Sequence, residues 1–303
     1  MLTPGSEFPQ AAGVTYLDHA GATLYSRAQV AATQEALLSS LTCNPHSSAV
    51  SRQIVRSDSL LSSSLCPQEA AAMVEAARDA VLAHLGATSA EYSVIFTAGA
   101  TAATRLLGES WGGAGLRLHE DCHTSLLGLT QLAADRWQGT VTTVMLCYLL
   151  LSTRGATVTI CTDADFTAVE AAEAGSGPVL ACFPAMSNFS GRKFPCAAWV
   201  RTLRAAGHRV LLDIAAFVST NPVELGRLQP DYAVLSFYKM FGLPTGLGAL
   251  LVRHEAAGLL TRRYFGGGTV DLALVRRRLT FPRHNISHRF EDGTVDYLGI
   301  VSS

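Results

Sequence analysis

The 303 residues are 49% hydrophobic, enough to bury one large core, and carry a net charge of −1. With a sequence pI near 6.7, the chain has no bulk electrostatic preference for nucleic acid or anionic lipid, and Arg276-Arg-Arg278 reads as a solvated basic face. Met1-Leu-Thr-Pro-Gly-Ser-Glu-Phe8 lacks the basic start and apolar centre of a secretory signal, and the apolar run from Val141 to Leu151 is far shorter than the ~20 residues of a membrane-spanning helix. Seven cysteines, an odd number without paired C-x-x-C spacing, argue for reduced thiols in a soluble, cytoplasmic protein.

In chain order, an amphipathic helix is expected from Met73 to Leu85, then a strand over Val94–Thr97 and a helix from Ala100 to Glu109. A strand over Val158–Cys161 precedes a helix from Phe166 to Ala174. Val179–Phe183 is a further strand, followed by a helix from Cys196 to Ala206. Val210–Asp213, Ala233–Ser236 and Ala249–Val252 complete the strands. This alternation predicts an α/β fold, a mostly parallel sheet with helices on both faces, in a single domain over residues 1–303. Ligands of such sheets bind beyond the carboxyl ends of the strands, where Thr97, Asp213 and Ser236 all fall.

Lys239 stands just past one of those ends, before the glycine-broken turn Gly242-Leu-Pro-Thr-Gly-Leu-Gly248. An amine there suits Schiff-base chemistry, and the strand-terminal carboxylate of Asp213, twenty-six positions earlier, suits a ring nitrogen that must stay protonated. Together they are what pyridoxal 5'-phosphate (PLP) requires, although in isolation each would read as a solvated lysine and a helix cap. Thr97-Ala-Gly-Ala-Thr101 is a strand, a tight turn and a helix start, so Gly99, Ala100 and Thr101 form a candidate phosphate cradle; an ordinary helix cap has the same pattern. His119, Glu120, Asp121, Cys122 and His123 are adjacent and cannot easily point at one centre, so no metal site is expected. Gly266-Gly-Gly-Thr269 belongs to no phosphate loop of the G-x-x-x-x-G-K-[ST] type, which disfavours a nucleoside triphosphatase.

Nine segments in order carry a resemblance: Tyr16-Leu-Asp-His-Ala-Gly-Ala-Thr-Leu-Tyr25, Asn44-Pro-His-Ser47, Phe96-Thr-Ala-Gly-Ala-Thr-Ala-Ala103, Asp121-Cys-His-Thr-Ser125, Phe183-Pro-Ala-Met-Ser-Asn-Phe-Ser-Gly191, Leu212-Asp-Ile-Ala-Ala216, Ser236-Phe-Tyr-Lys-Met-Phe-Gly242, Tyr264-Phe-Gly-Gly-Gly-Thr269 and Arg289-Phe-Glu-Asp-Gly-Thr294. The chain resembles class V, fold-type I PLP enzymes of the cysteine desulfurase group, and within it the amino-terminal part of the molybdenum cofactor sulfurases. The resemblance implies that Lys239 binds the cofactor aldehyde, Ser236 reaches its phosphate, His123 stacks on its ring and shuttles protons, and Asn188 bonds its phenolic oxygen. It implies that Thr269 serves the phosphate site of a neighbouring subunit, hence a homodimer. The position before the lysine, often histidine in bacterial desulfurases, is Tyr238. The implied substrate is L-cysteine, which releases alanine while a cysteine thiolate accepts the sulfur and passes it toward the molybdenum cofactor.

The chain also departs from that pattern. It stops nine residues after Thr294, whereas the relatives continue into a small domain that carries the persulfide cysteine and the arginine for the substrate carboxylate. A fold-type I major domain truncated after about 294, with its carboxyl-terminal small domain absent, is therefore expected. None of Cys43, Cys66, Cys122, Cys147, Cys161, Cys182 or Cys196 matches the nucleophile's position. Ser57–Gln68, Thr140–Thr153 and Val295–Ser303 look foreign to the family. Two alternatives stay open: another class V enzyme, an aminotransferase or lyase, or a non-catalytic PLP-binding or dimerisation module.

Overall fold

A computed structural model describes residues 4–39, 44–45, 65–136, 157–169, 177–277 and 279–302. Seven short runs pair as one sheet: β1 (Tyr92–Thr97), β2 (Gly115–His119), β3 (Thr157–Cys161), β4 (Val179–Pro184), β5 (Arg209–Asp213), β6 (Tyr232–Ser236) and β7 (Gly248–Arg253), in the order β1-β7-β6-β5-β4-β2-β3. Neighbours from β6 to β3 are parallel, and β7 runs antiparallel to both β1 and β6. Six strands thus point the same way, and their carboxyl ends meet the start of β7 along one edge. β8 (Val270–Leu274) and β9 (Leu279–Pro282) form a separate antiparallel pair.

The helices are α1 (Pro4–Glu7), α2 (Arg27–Ser39), α3 (Leu65–His84), α4 (Ala100–Ser110), α5 (Thr124–Leu127), α6 (Leu129–Arg136), α7 (Asp163–Thr167), α8 (Cys196–Ala205), α9 (Leu225–Leu228), α10 (Phe237–Phe241), α11 (Ile286–Phe290) and α12 (Tyr297–Ser302). They cover both faces, because the strands are apolar on both. Along β5, Val210 and Leu212 pack with Phe166, Trp199 and Leu203 on one side, while Leu211 packs with Leu107, Leu118 and Leu126 on the other. Each such buried side chain stabilises the fold by about 1.5–3 kcal/mol. Gly108 lets α4 lie against α6, since a Cβ there would fall 2.4 Å from Leu129 Cδ2.

The architecture agrees with the sequence expectation, with local differences. β2 was not expected: Leu116 and Leu118 are fully buried, but Gly115, Arg117 and His119 leave an apolar alternation of only two residues. α7 begins three residues before the expected helix, because Thr162 and Asp165 form a capping box, and it ends at Thr167; residues 170–174 lie outside the described set. α3 starts at Leu65, so the serine-rich stretch 57–68 runs into a helix, and its part 57–64, like 140–153, lies outside the described residues. The terminal run folds onto the core as α12, with Ile300 buried beside α3. Among the described residues no helix is long and apolar enough to cross a membrane.

Candidate functional site

Thr97, Gly248 and Ser236 stand abreast on β1, β7 and β6. Beyond them the chain turns through Gly99 at φ +108°, a conformation open to glycine, and enters α4. The Thr97 hydroxyl donates to the Gly99 carbonyl (2.9 Å), and the Ala100 N–H donates to Ser236 Oγ (2.8 Å). Gly99, the residue before α4, has no side chain to cap it, and the amides of Thr101 and Ala102 point out of its first turn without a partner among the described residues. Gly248 makes the close approach possible: a Cβ there would lie 2.5 Å from Gly99 Cα. The result is a helix amino terminus ringed by two hydroxyls, suited to a phosphate.

Lys239 sits on α10, three residues past buried Ser236. Its backbone is fixed from the amino-terminal segment, where Thr23 Oγ1 donates to the Lys239 carbonyl (2.5 Å) and the Thr23 N–H donates to the Tyr238 carbonyl (3.3 Å). Gly242 closes α10 at φ +79°, and a Cβ there would meet the Tyr25 nitrogen at 2.5 Å, so only glycine admits residues 23–25 against the turn. Asp213 ends β5 and accepts the Ala215 N–H (2.9 Å). Burial pushes its carboxyl above the usual range, while the Ala215 N–H, Lys239 and His123 draw it part of the way back. Lys239 and His123 thus both lie within electrostatic reach of Asp213.

His123 precedes α5, and its Nδ1 accepts the Ser125 N–H (3.1 Å) with the Ser125 hydroxyl 2.8 Å away. With Nδ1 engaged as an acceptor, the neutral ring carries its proton on Nε2. The neighbouring ligand types diverge. His119 is buried, its Nδ1 taking the Asp121 N–H and its Nε2 lying 3.0 Å from Asp163, while Cys122 Sγ donates to the Cys182 carbonyl (3.4 Å). Burial pushes the thiols of Cys122 and Cys182 well above the usual range, raises that of Cys161, and takes Cys196 to about 11. None of these four is a ready thiolate.

Asn188 lies exposed in the loop after β4, at the same end of the sheet. The turn around it is held by Ser187, whose hydroxyl accepts the N–H groups of Phe189 and Ser190. Thr269 is outside the cluster: it is buried beside the β8–β9 pair, donating to the Gly266 carbonyl (2.7 Å). Two contributors went unnoticed in the sequence, Gly248 and Thr23. Each lies in a quoted motif, but what it touches depends on strand register and on a partner more than 140 positions away.

Residues 15–303 match the family model of the class-V aminotransferases, and the chain belongs to that family. Among curated proteins it is 35% identical to the molybdenum cofactor sulfurase of Homo sapiens, over 98% of this chain and 32% of that protein. It is 36% identical to the molybdenum cofactor sulfurase of Danio rerio and 37% to molybdenum cofactor sulfurase 3 of Aedes aegypti, in each case over 98% of this chain and 35% of the relative. The chain thus spans about a third of the length of these relatives. Among solved structures, the cysteine desulfurase CsdA of Escherichia coli superposes with a TM-score of 0.71 at 20% identity, covering 100% of this chain and 70% of that one. An apo cysteine desulfurase from Thermococcus onnurineus gives 0.71 at 18% identity, over 100% of this chain and 69% of that one. The fold is fold type I.

Proposed function

We propose that this chain binds PLP and uses it to take sulfur from L-cysteine. The observation that carries the reading is a helix start at the strand ends whose Thr101 and Ala102 amides have no partner among the described residues, on the same sheet edge as Asp213, which lies within electrostatic reach of Lys239 and His123. The names of the relatives and structural neighbours support it. When bound, the cofactor supplies an electron sink for the substrate Cα carbanion. The chain's residues take up complementary tasks: Gly99, Ala100, Thr101 and Ser236 hold the phosphate, and Lys239 holds the aldehyde and then moves the Cα proton. Asp213 keeps the ring nitrogen protonated, His123 covers the ring and moves a second proton, and Asn188 faces the phenolic oxygen. Thr269 completes the phosphate site of the second subunit of a homodimer.

The overall exchange is L-cysteine plus a thiol giving alanine plus a persulfide. The substrate C–S bond breaks, an S–S bond forms, and the thiol's proton balances the alanine. Cys122, Cys161, Cys182 and Cys196 are held as protonated thiols, so the accepting thiol comes from elsewhere. The relatives' names support the molybdenum cofactor as final acceptor, and the free cysteines among the described residues support a cytoplasmic location. Those inert thiols also favour a second reading, a PLP-binding module without turnover. An assay of alanine from L-cysteine with PLP and dithiothreitol separates the two: alanine in step with persulfide or sulfide supports sulfur transfer, and a stable lysine-bound cofactor without alanine supports the module. An amino-group exchange product in place of alanine would instead identify an aminotransferase.

A further inference from the structure

We infer that the buried pair Arg78–Glu291 is the positioning device of the phosphate cradle, an inference that rests on the PLP reading above. Among the described residues β1 is an edge strand, paired only with β7. Two backbone groups near its carboxyl end are taken up by side chains. Phe96 N–H donates to Glu291 Oε1 (2.7 Å), and Arg78 Nη1 donates to the Val94 carbonyl (2.6 Å). Arg78 and Glu291 are themselves joined by two parallel bonds of 2.7 Å, from Nη1 to Oε1 and from Nη2 to Oε2. The pair therefore does for the end of β1 what a neighbouring strand would do. It links α3, which carries Arg78, to the segment after α11, which carries Glu291.

The placement bears on the strand end that leads into the cradle. The bonded Phe96 N–H is one residue before Thr97 and three before Gly99, so it fixes the strand end from which the cradle turns. The Arg78 guanidinium also lies 4.8 Å over the Phe96 ring, a second contact that holds the same strand end. Both charges are buried, with 5% of each residue exposed. A buried ion pair offers little net stability over an apolar pair of similar size. Its directional bonds are what an apolar pair cannot reproduce, and here they hold one peptide group in register.

The test compares PLP with pyridoxal, which lacks the phosphate. In Glu291→Leu, and in the double variant Arg78→Met/Glu291→Leu that leaves neither charge buried alone, the dissociation constant for PLP should rise about tenfold or more. That for pyridoxal should change by less than about twofold, because Lys239 and Asp213 are untouched. Equal weakening toward both compounds, or none toward either in the folded double variant, would overturn the positioning role. If the unaltered chain fails to fix PLP on Lys239, the cofactor reading falls and this inference with it; intact fixation with an unchanged PLP-to-pyridoxal ratio in the variants sinks this inference alone.

Discussion

Two carboxylates mark opposite ends of neighbouring parallel strands, and their surroundings differ in kind. Asp231, just ahead of β6, is fully buried; it accepts the Val210 N–H (2.9 Å) and stands 3.3 Å from Arg209 Nη1 and 3.7 Å from Arg204 Nε, with Arg253 adding its charge. Asp213, at the far end of β5, accepts only the Ala215 N–H among the described residues, and the basic side chains near it are Lys239 and His123. Burial pushes both carboxyls up. One acid is compensated by arginines, which are always charged, and the other by one lysine and one histidine. A buried acid compensated in that way gains from an added cation, and a protonated ring nitrogen is such a cation.

Breaking the arginine-bound end should have the largest effect on the fold. Asp231→Ala leaves guanidiniums without their acceptor and should cost about 3 kcal/mol or more, read as a lowered urea midpoint. Breaking the other end should separate stability from binding. Asp213→Asn should weaken PLP about 10- to 100-fold, by loss of a charged hydrogen bond, in a fluorescence titration. It should also change the pH dependence of the cofactor-free chain. A carboxyl with a folded-state value above its unfolded one holds its proton more tightly when folded, so stability falls as pH rises from the ordinary carboxyl range through the raised value. Melting curves from about pH 4 to about pH 8 should show that fall in the parent chain and a smaller one in Asp213→Asn.

A smaller effect belongs to the cradle. Gly99→Ala puts a side chain at φ +108° and should cost about 1–3 kcal/mol of stability, and with it phosphate affinity. Its Cβ would sit at an ordinary 3.5 Å from Ser236 Oγ, so backbone conformation and not collision sets the cost. The mildest test is chemical. Native Cys122 should resist alkylation at pH 8, because burial holds its thiol protonated.

The sequence made the sheet end legible, because Asp213, Ser236 and Thr97 each close an apolar run and such ends face the ligand side of an α/β sheet. Lys239 was legible for the same reason. β2 was not, since two buried leucines between a glycine, an arginine and a histidine carry too short a pattern. Gly248 and Thr23 could not be assigned either: Gly248 matters through its register with Thr97 and Ser236, and Thr23 through a bond that spans 216 positions. The Arg78–Glu291 pair spans 213 positions and has no local signature. Local chemistry shows in a sequence; what holds it in place across the fold does not.

The most direct test uses an unusual economy of the chain, which has only two lysines, Lys193 and Lys239. The purified protein would be given PLP, its visible spectrum followed before and after borohydride, and the reduced protein mapped by peptide. The account predicts a reducible band with the cofactor fixed on Lys239, and no band in Lys239→Ala. An identical band in Lys239→Ala, or the label on Lys193, would contradict it.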